Sequence, residues 1–272
     1  MKIATYAGTK ALLEKYGHKP RKSLGQNFLI DQHVLQKIIR AANFTFDDMA
    51  LEIGPGLGGL TQAAAQHVKK LLAVELDKHL AECLRETFAD TPNIEVIQSD
   101  ILDYPIPPQV TTIIANLPYY VTTPIIMHLL ENYHFKSIIV MVQKEVAQRM
   151  TGHGSYGALT LAIEYHAKAE IVANVPANCF YPRPQVGSAV VRLDVLEKPP
   201  VTTDHRALFA NIKAGFGQRR KTLANSLHGA EIHPHTKDEL IQIIKSQGLS
   251  ENVRGEALSL AQWAALTEAL LD

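Results

Sequence analysis

Six short apolar runs alternate with stretches of helical periodicity over residues 49–175, and this alternation constrains the fold more than any other feature of the chain. The runs are Met49–Ile53, Leu71–Leu76, Ile94–Ile97, Thr111–Ala115, Ser137–Val142 and Ile171–Val175. The helical stretches are Leu60–Val68, Lys78–Phe88, Thr123–Asn132, Lys144–Met150 and Tyr156–His166. Strands that alternate with helices form βαβ units. The pattern therefore predicts a parallel sheet with helices on both faces.

A seventh apolar run, Ser188–Val195, follows the sixth after a connection that is too short for a helical crossover, so we expect this last strand to be antiparallel. Beyond Lys198-Pro199-Pro200 the apolar period is helical, over residues 207–216, 237–246 and 256–271. The predicted fold is α/β, a Rossmann-like sheet of seven strands with a small all-α C-terminal domain. We place the boundary at residue 198, which gives domains 1–198 and 199–272.

The net charge of +0 conceals an uneven distribution. Residues 1–40 contain eight lysines and arginines against two acidic residues, whereas residues 41–198 contain 11 basic and 17 acidic residues. A basic N-terminal arm on an acidic body indicates attraction to a polyanion, and a solvated basic tail is the alternative. A second basic segment, Arg219-Arg220-Lys221, suits RNA phosphates or is a solvated helix end.

Several classes of protein are not expected. No apolar run approaches the roughly 18 residues of a membrane span, and the N-terminus lacks a secretory signal. Cys83 and Cys179 form no Cys-x-x-Cys pair, and His233-Pro234-His235 lacks the spacing of a metal site. We expect a cytoplasmic monomer with reduced cysteines, without metal or membrane association.

A glycine-rich turn follows the first strand and predicts a nucleotide-type site. Gly54, Gly56 and Gly59 satisfy the G-x-G-x-x-G spacing, and Glu75 ends the next strand where a ribose-binding acid belongs. The motif alone also fits a nicotinamide dehydrogenase or a simple tight turn. Asp100 ends the third strand and can accept a hydrogen bond from an adenine amino group, or can instead cap the following segment. Together Glu75 and Asp100 fit the adenosyl half of S-adenosylmethionine.

The sharpest signal in the chain is Asn116-Leu117-Pro118-Tyr119, which ends the fourth strand. The side-chain oxygen of Asn116 and the carbonyl of Leu117 can accept the two N–H groups of an exocyclic amine, while Pro118 removes a competing donor. Such acceptors favour the positive charge that develops on a methylated amine. Tyr119 can stack on the base. An ordinary strand-ending turn is the alternative.

The chain resembles the bacterial small-subunit (16S) ribosomal RNA adenine dimethyltransferases, the family of the kasugamycin-sensitivity methyltransferase, over nearly its whole length. Besides the two motifs above, the resemblance is carried by residues 22–29 (KSLGQNFL), 143–150 (QKEVAQRM), 156–160 (YGALT) and 175–184 (VPANCFYPRP). The family usually has proline at Ala177, lysine at Gln185 and aspartate at Gly187, so these three positions depart from its pattern.

The resemblance implies that S-adenosylmethionine is the methyl donor and that the residues in contact with it are Asn27, Leu29, Gly54, Glu75, Asp100 and Asn116. It also implies that Phe180 closes over a flipped adenine opposite Tyr119, although either aromatic ring could simply pack in the core. Lys22 and the 219–221 segment would contact RNA.

The function implied by the resemblance is dimethylation of two adjacent adenosines near the 3′ end of 16S rRNA in the assembling small ribosomal subunit, with a role in ribosome biogenesis. The helical C-terminal segment favours this reaction over that of the related large-subunit, antibiotic-resistance methyltransferases. An assembly factor that acts mainly by binding is the alternative.

Overall fold

The computed structural model describes residues 1–21, 24–154, 156–218 and 220–271. In chain order its elements are α1 (Tyr6–Lys15), β1 (Phe28–Leu29), α2 (Gln32–Ala42), β2 (Met49–Ile53), α3 (Gly59–Ala64), β3 (Lys70–Glu75), α4 (Lys78–Thr87), β4 (Ile94–Gln98), β5 (Val110–Asn116), α5 (Thr122–Asn132), β6 (Ser137–Gln143), α6 (Lys144–Met150), α7 (Ala158–His166), β7 (Ala167–Val175), β8 (Phe180–Tyr181), β9 (Ser188–Val195), α8 (His205–Phe216), α9 (Leu223–Gly229), α10 (Lys237–Ser246) and α11 (Leu260–Leu271).

Seven strands form one sheet in the order β4-β3-β2-β5-β6-β9-β7. The five strands from β4 to β6 are parallel to their neighbours, whereas β9 runs antiparallel to β6. The predicted Rossmann-like sheet with an antiparallel last strand is therefore confirmed. The central strands are almost wholly buried, as expected for a sheet that helices cover on both faces.

Helix α2 shows how the sequence positions its elements. The Asp31 carboxylate accepts hydrogen bonds from the backbone N–H groups of His33 (2.9 Å) and Val34 (3.0 Å), so Asp31 is the N-cap of this helix. The apolar residues at helical spacing, among them Val34 and Ile38, are buried in one hydrophobic cluster with strands β5, β6 and β9. The helix ends at Asn43, which adopts a left-handed conformation.

The contacts divide the chain into two compact units, Met1–Thr151 with Lys168–Val195, and Gly152–Ala167 with Leu196–Asp272. The first unit contains the sheet. In the second unit, α7 contributes Leu161 and Tyr165 to a hydrophobic cluster around Trp263 and Leu208 of the C-terminal helices. By its contacts α7 therefore belongs to the helical unit, although it lies between β6 and β7 in the sequence. The functional division predicted at residue 198 stays a prediction.

Candidate active site

A cavity of about 210 Å³ lies at the carboxyl edge of the parallel strands. Parallel strands deliver the residues that follow them to the same edge of the sheet, which is where open α/β folds bind ligands. All six residues predicted to contact a cofactor line this cavity, namely Asn27, Leu29, Gly54, Glu75, Asp100 and Asn116. The sequence thus predicted residues that the fold brings together, and their role as cofactor contacts remains a prediction.

The turn after β2 depends on glycine at two positions. Gly54 has a φ of +66°, and its N–H donates to the Val74 carbonyl at 2.9 Å, which fixes the turn to the neighbouring strand. Gly56 has a φ of +61°, and a Cβ atom there would lie 3.0 Å from the ring of Phe28. The turn therefore leaves room for the segment that contains Phe28 to pack against it.

Glu75, at the end of β3, is held by backbone donors. Its two carboxylate oxygens accept hydrogen bonds from the N–H groups of Gly56 (3.0 Å) and Asp77 (2.9 Å). Burial raises the pKa of Glu75, and these two donors oppose the rise. Each carboxylate oxygen retains a lone pair that can accept a further bond from a ligand hydroxyl.

Asp100 follows β4 and is half-buried. One of its oxygens, Oδ1, accepts a hydrogen bond from the Leu102 N–H at 3.0 Å. This oxygen therefore caps the following turn, as the alternative interpretation of Asp100 holds. Because Asp100 also lines the cavity, the capping bond orients the carboxylate without using all of its acceptor capacity. Capping and ligand binding are compatible at this position.

Glu52, inside β2, is a cavity residue that no sequence motif singled out. It lines the cavity while remaining only 2% exposed, and no described residue donates a hydrogen bond to its Oε2 atom. Burial raises the pKa of Glu52 to about 8, with an opposing effect of the Thr61 hydroxyl and a reinforcing effect of the Glu75 charge. The signal was an acidic residue in the middle of a buried strand.

The N-terminal arm closes one side of the cavity. The Gln26 amide donates to the Asp77 carboxylate at 3.2 Å, and Phe28–Leu29 pairs as strand β1 with Phe180–Tyr181, strand β8. The Gly25 backbone packs against Pro118, since a Cβ at Gly25 would lie 3.1 Å from the Pro118 Cβ. No sequence motif assigns a role to Gln26 or Asp77, because their contact joins two parts of the chain that are 51 residues apart.

Asn116 and Leu117 present the two predicted acceptors. The Asn116 Nδ2 donates to the carbonyl of Asn27 at 2.9 Å, and because a carbonyl can only accept, this bond fixes the orientation of the Asn116 amide and leaves Oδ1 for another donor. The Leu117 side chain is buried, and its N–H donates to the Met141 carbonyl at 3.1 Å. Among the described residues, none donates to the Leu117 carbonyl.

The two predicted aromatic walls differ in their surroundings. Tyr119 is half-buried, and its hydroxyl lies 2.7 Å from the Ser188 Oγ. Phe180 is only 3% exposed and belongs to a hydrophobic cluster with Ala173 and Val175. Its ring therefore packs in the core in this structure. Neither ring lines the cavity. Stacking by either ring on a base stays a prediction.

The residues predicted to contact RNA are only partly described. Lys22 and Arg219 lie outside the described residues. Arg220 and Lys221 are exposed in the turn between α8 and α9. Over the described parts of the chain, no helix is long and apolar enough to cross a membrane. The same residues contain no group of three or more His, Cys, Asp and Glu side chains arranged to hold a metal ion.

The topology decides between the classes that the glycine motif left open. A dinucleotide-binding sheet is made of six parallel strands, whereas here an antiparallel strand, β9, is inserted between β6 and β7. With the cavity at its carboxyl edge, this is the Rossmann-like methyltransferase class. The family model described as "Ribosomal RNA adenine dimethylase" matches residues 17–271. The chain belongs to this family, as the resemblance predicted.

Individual relatives agree with the family match. The chain is 47% identical to the ribosomal RNA small subunit methyltransferase A of Lachnoclostridium phytofermentans, over 96% of this chain and 94% of the relative. It is 41% identical to the protein of the same name from Geobacillus thermodenitrificans, over 99% and 97% of the two chains.

Two solved structures share the fold. A dimethyladenosine transferase from Plasmodium falciparum superposes with a TM-score of 0.74 at 26% identity, over 88% of this chain and 95% of that one. The 23S rRNA methyltransferase ErmE superposes with a TM-score of 0.70 at 28% identity, over 90% and 100%. A structure named as a dimethyladenosine transferase and one named for 23S rRNA thus share this architecture.

Proposed function

We propose that this chain transfers methyl groups from S-adenosylmethionine to the exocyclic amines of two adjacent adenosines near the 3′ end of 16S rRNA, in the assembling small ribosomal subunit. The observation that carries the proposal is the Asn116 amide, which the Asn27 carbonyl holds with its oxygen available beside the cavity. The small-subunit names of relatives at 41–47% identity support the choice of RNA.

The residues that line the cavity fit S-adenosylmethionine. The sulfonium group of this cofactor carries a positive charge. The cavity is lined by three carboxyl groups, those of Glu52, Glu75 and Asp100, together with apolar residues. The Glu52 oxygen without a partner suits the α-ammonium group, since a buried acceptor otherwise stays unsatisfied. Glu75 suits the ribose hydroxyls, and Asp100 suits the adenine amino group. When bound, this cofactor supplies a methyl group on an electrophilic sulfonium.

The remaining chemistry belongs to the protein. An adenine amine is a weak nucleophile because its lone pair is delocalised into the ring. The Asn116 Oδ1 and the Leu117 carbonyl accept its two N–H bonds, which localises the lone pair and stabilises the positive charge that develops on nitrogen. Pro118 offers no N–H that would compete for these acceptors. Direct transfer of the methyl group to this nitrogen would release S-adenosylhomocysteine and one proton of the amine, and it would need no covalent bond to the enzyme.

Access of the target base requires an unpaired or extruded adenine, because the amine of a stacked and paired base cannot reach the acceptors. We propose that Tyr119 and Phe180 stack on this base, for which Phe180 must expose a ring face that is buried here. Lys22 and residues 219–221 are proposed to contact RNA phosphates. The role in ribosome biogenesis and the monomeric state remain predictions.

The test is a methylation assay with S-adenosylmethionine on undermethylated small subunits, followed by nucleoside analysis. Wild-type protein should yield dimethyladenosine. Asn116→Ala should abolish transfer while RNA binding stays largely intact, because one of the two amine acceptors is lost. Asn132→Ala is the matched control, since Asn132 is exposed and its side chain bonds, among the described residues, only to His128 of its own helix. Undiminished transfer by Asn116→Ala would refute the assigned role, and a wild type that binds without transfer would favour the assembly-factor alternative.

A further inference from the structure

The hydroxyl groups of Tyr119 and Ser188 lie 2.7 Å apart, and this contact joins the proposed base-binding loop to the sheet. Ser188 is the first residue of β9 and is only 1% exposed. A polar side chain this deeply buried usually has a defined partner, and here the partner is the one phenol that the sequence assigns to the target base. The bond spans 69 residues of sequence.

Two neighbours hold Ser188 in place. Because β9 is antiparallel to β6, its first residue lies at the carboxyl edge of the parallel strands, opposite Gln143. The carbonyl of the preceding residue, Gly187, accepts a hydrogen bond from the Lys144 N–H at 3.0 Å. The serine hydroxyl is therefore presented by a fixed strand rather than by a loop.

The phenol needs such an anchor. Tyr119 lies on the irregular segment between β5 and α5, where two side-chain torsions are free to place the ring in several orientations. Its hydroxyl is the atom farthest from the backbone and moves when the first torsion, χ1, changes, so a hydrogen bond there fixes the position of the ring. Burial raises the pKa of Tyr119, so the phenol stays neutral and does not serve as a proton acceptor.

We infer that Ser188 is a positioning residue for methyl transfer, which holds the Tyr119 ring in the position where the extruded adenine stacks on it. The inference rests on the proposed function. It assigns a role in the base-binding site to a residue at the beginning of an antiparallel strand, with Tyr119 as the group that touches the base.

A double-mutant cycle with steady-state kinetics on undermethylated small subunits tests the inference. Ser188→Ala and Tyr119→Phe each remove one hydroxyl and keep the fold and the ring, and Ser188→Thr keeps the hydroxyl. Each single variant that loses the bond should have kcat/KM for the subunit lowered about three- to tenfold, the range of one hydrogen bond, through a higher KM or a lower kcat. The double variant should be no worse than either single variant, because both remove the same bond.

The matched control is Ser137→Ala. Ser137 is also fully buried, at the beginning of β6 and the opposite end of the same strand pair, and its hydroxyl has no partner among the described residues. This variant should retain wild-type kinetics. The affinity for S-adenosylmethionine, measured by calorimetry, should be unchanged in all variants, since neither Tyr119 nor Ser188 lines the cavity.

The outcomes separate the two hypotheses. Two results with an active wild type would overturn the positioning role and leave the proposed function standing. One is a double variant whose loss of activity is the product of the two single losses. The other is a Ser188→Ala variant with the same kinetics as Ser137→Ala. A wild type that transfers no methyl group overturns both. Partial rescue by Ser188→Thr together with a non-additive cycle supports the inference.

Discussion

Replacing Glu52 by glutamine should change how the stability of the protein depends on pH. Glu52 is fully buried in β2, its Oε2 has no partner among the described residues, and its pKa is raised to about 8 from an ordinary value of 4.5. Glutamine has nearly the same shape and does not titrate. The substitution therefore removes one buried ionisation and leaves the packing of the strand in place.

The sign and size of the effect follow from the pKa. Below pH 4.5 the carboxyl is protonated in both the folded and the unfolded chain, so it contributes no pH dependence. Between pH 4.5 and about 8 the unfolded chain releases the proton and the folded chain retains it, so the wild type loses stability as pH rises. At about 1.4 kcal/mol per pH unit, the full loss is on the order of 5 kcal/mol.

Urea unfolding of wild type and Glu52→Gln at several pH values measures this difference. The free energy of unfolding of the variant, relative to wild type, should rise through the window and become constant above about pH 8. Any constant cost of burying the amide cancels, because only the slope is compared. Glu131→Gln, at an exposed position in α5, serves as the control and should show no such slope.

A flat difference across the window would refute the reasoning, since it would mean that Glu52 ionises in the folded chain as easily as in water. Saturating S-adenosylmethionine gives a second check. If its ammonium group pairs with Glu52, bound protein favours the ionised carboxylate, and the loss of stability of the wild type with rising pH should shrink.

Two further predictions concern the arm and the basic turn. Gln26→Ala removes the hydrogen bond to Asp77 that anchors the arm, and it should weaken S-adenosylmethionine binding about three- to tenfold by calorimetry, whereas wild-type affinity would show that the anchor is dispensable. Replacing Arg220 and Lys221, both exposed, by glutamine should lower the slope of log RNA affinity against log salt by about 2; an unchanged slope would return them to the solvated-end alternative.

Much of the sheet could be predicted because its signals are local. Strands β2, β6 and β9 begin and end within one residue of their predicted bounds, since the apolar period of a buried strand is visible along the chain. The antiparallel last strand followed from the short connection before it. Ligands of open α/β sheets bind at the carboxyl ends of the strands. This rule places Glu75, Asp100 and Asn116 at one site without knowledge of any contact, and all three line the cavity.

The errors at the element ends have tertiary causes. Helix α3 ends at Ala64 although apolar periodicity continues to Val68. Beyond Ala64, the Asn93 amide donates hydrogen bonds to the carbonyls of Ala65 (2.8 Å) and Val68 (3.2 Å) in place of helical N–H groups. Strand β7 begins four residues earlier than expected, at Ala167, because it lies at the edge of the sheet and alternates exposed polar residues with buried ones. Helices α1 and α9 were not predicted, since α1 has weak apolar periodicity and α9 spans only seven residues.

The sequence by itself determined the order of strands and helices, the glycine turn and the residue types at the strand ends. Only the tertiary structure decided how those residues are held: the Asn116 amide by a carbonyl 89 residues away, Tyr119 by Ser188, and Phe180 within the core. The physical reason is that periodicity and turn chemistry act between neighbours in the chain, whereas a hydrogen bond or a buried contact between distant segments exists only once the sheet has brought them together.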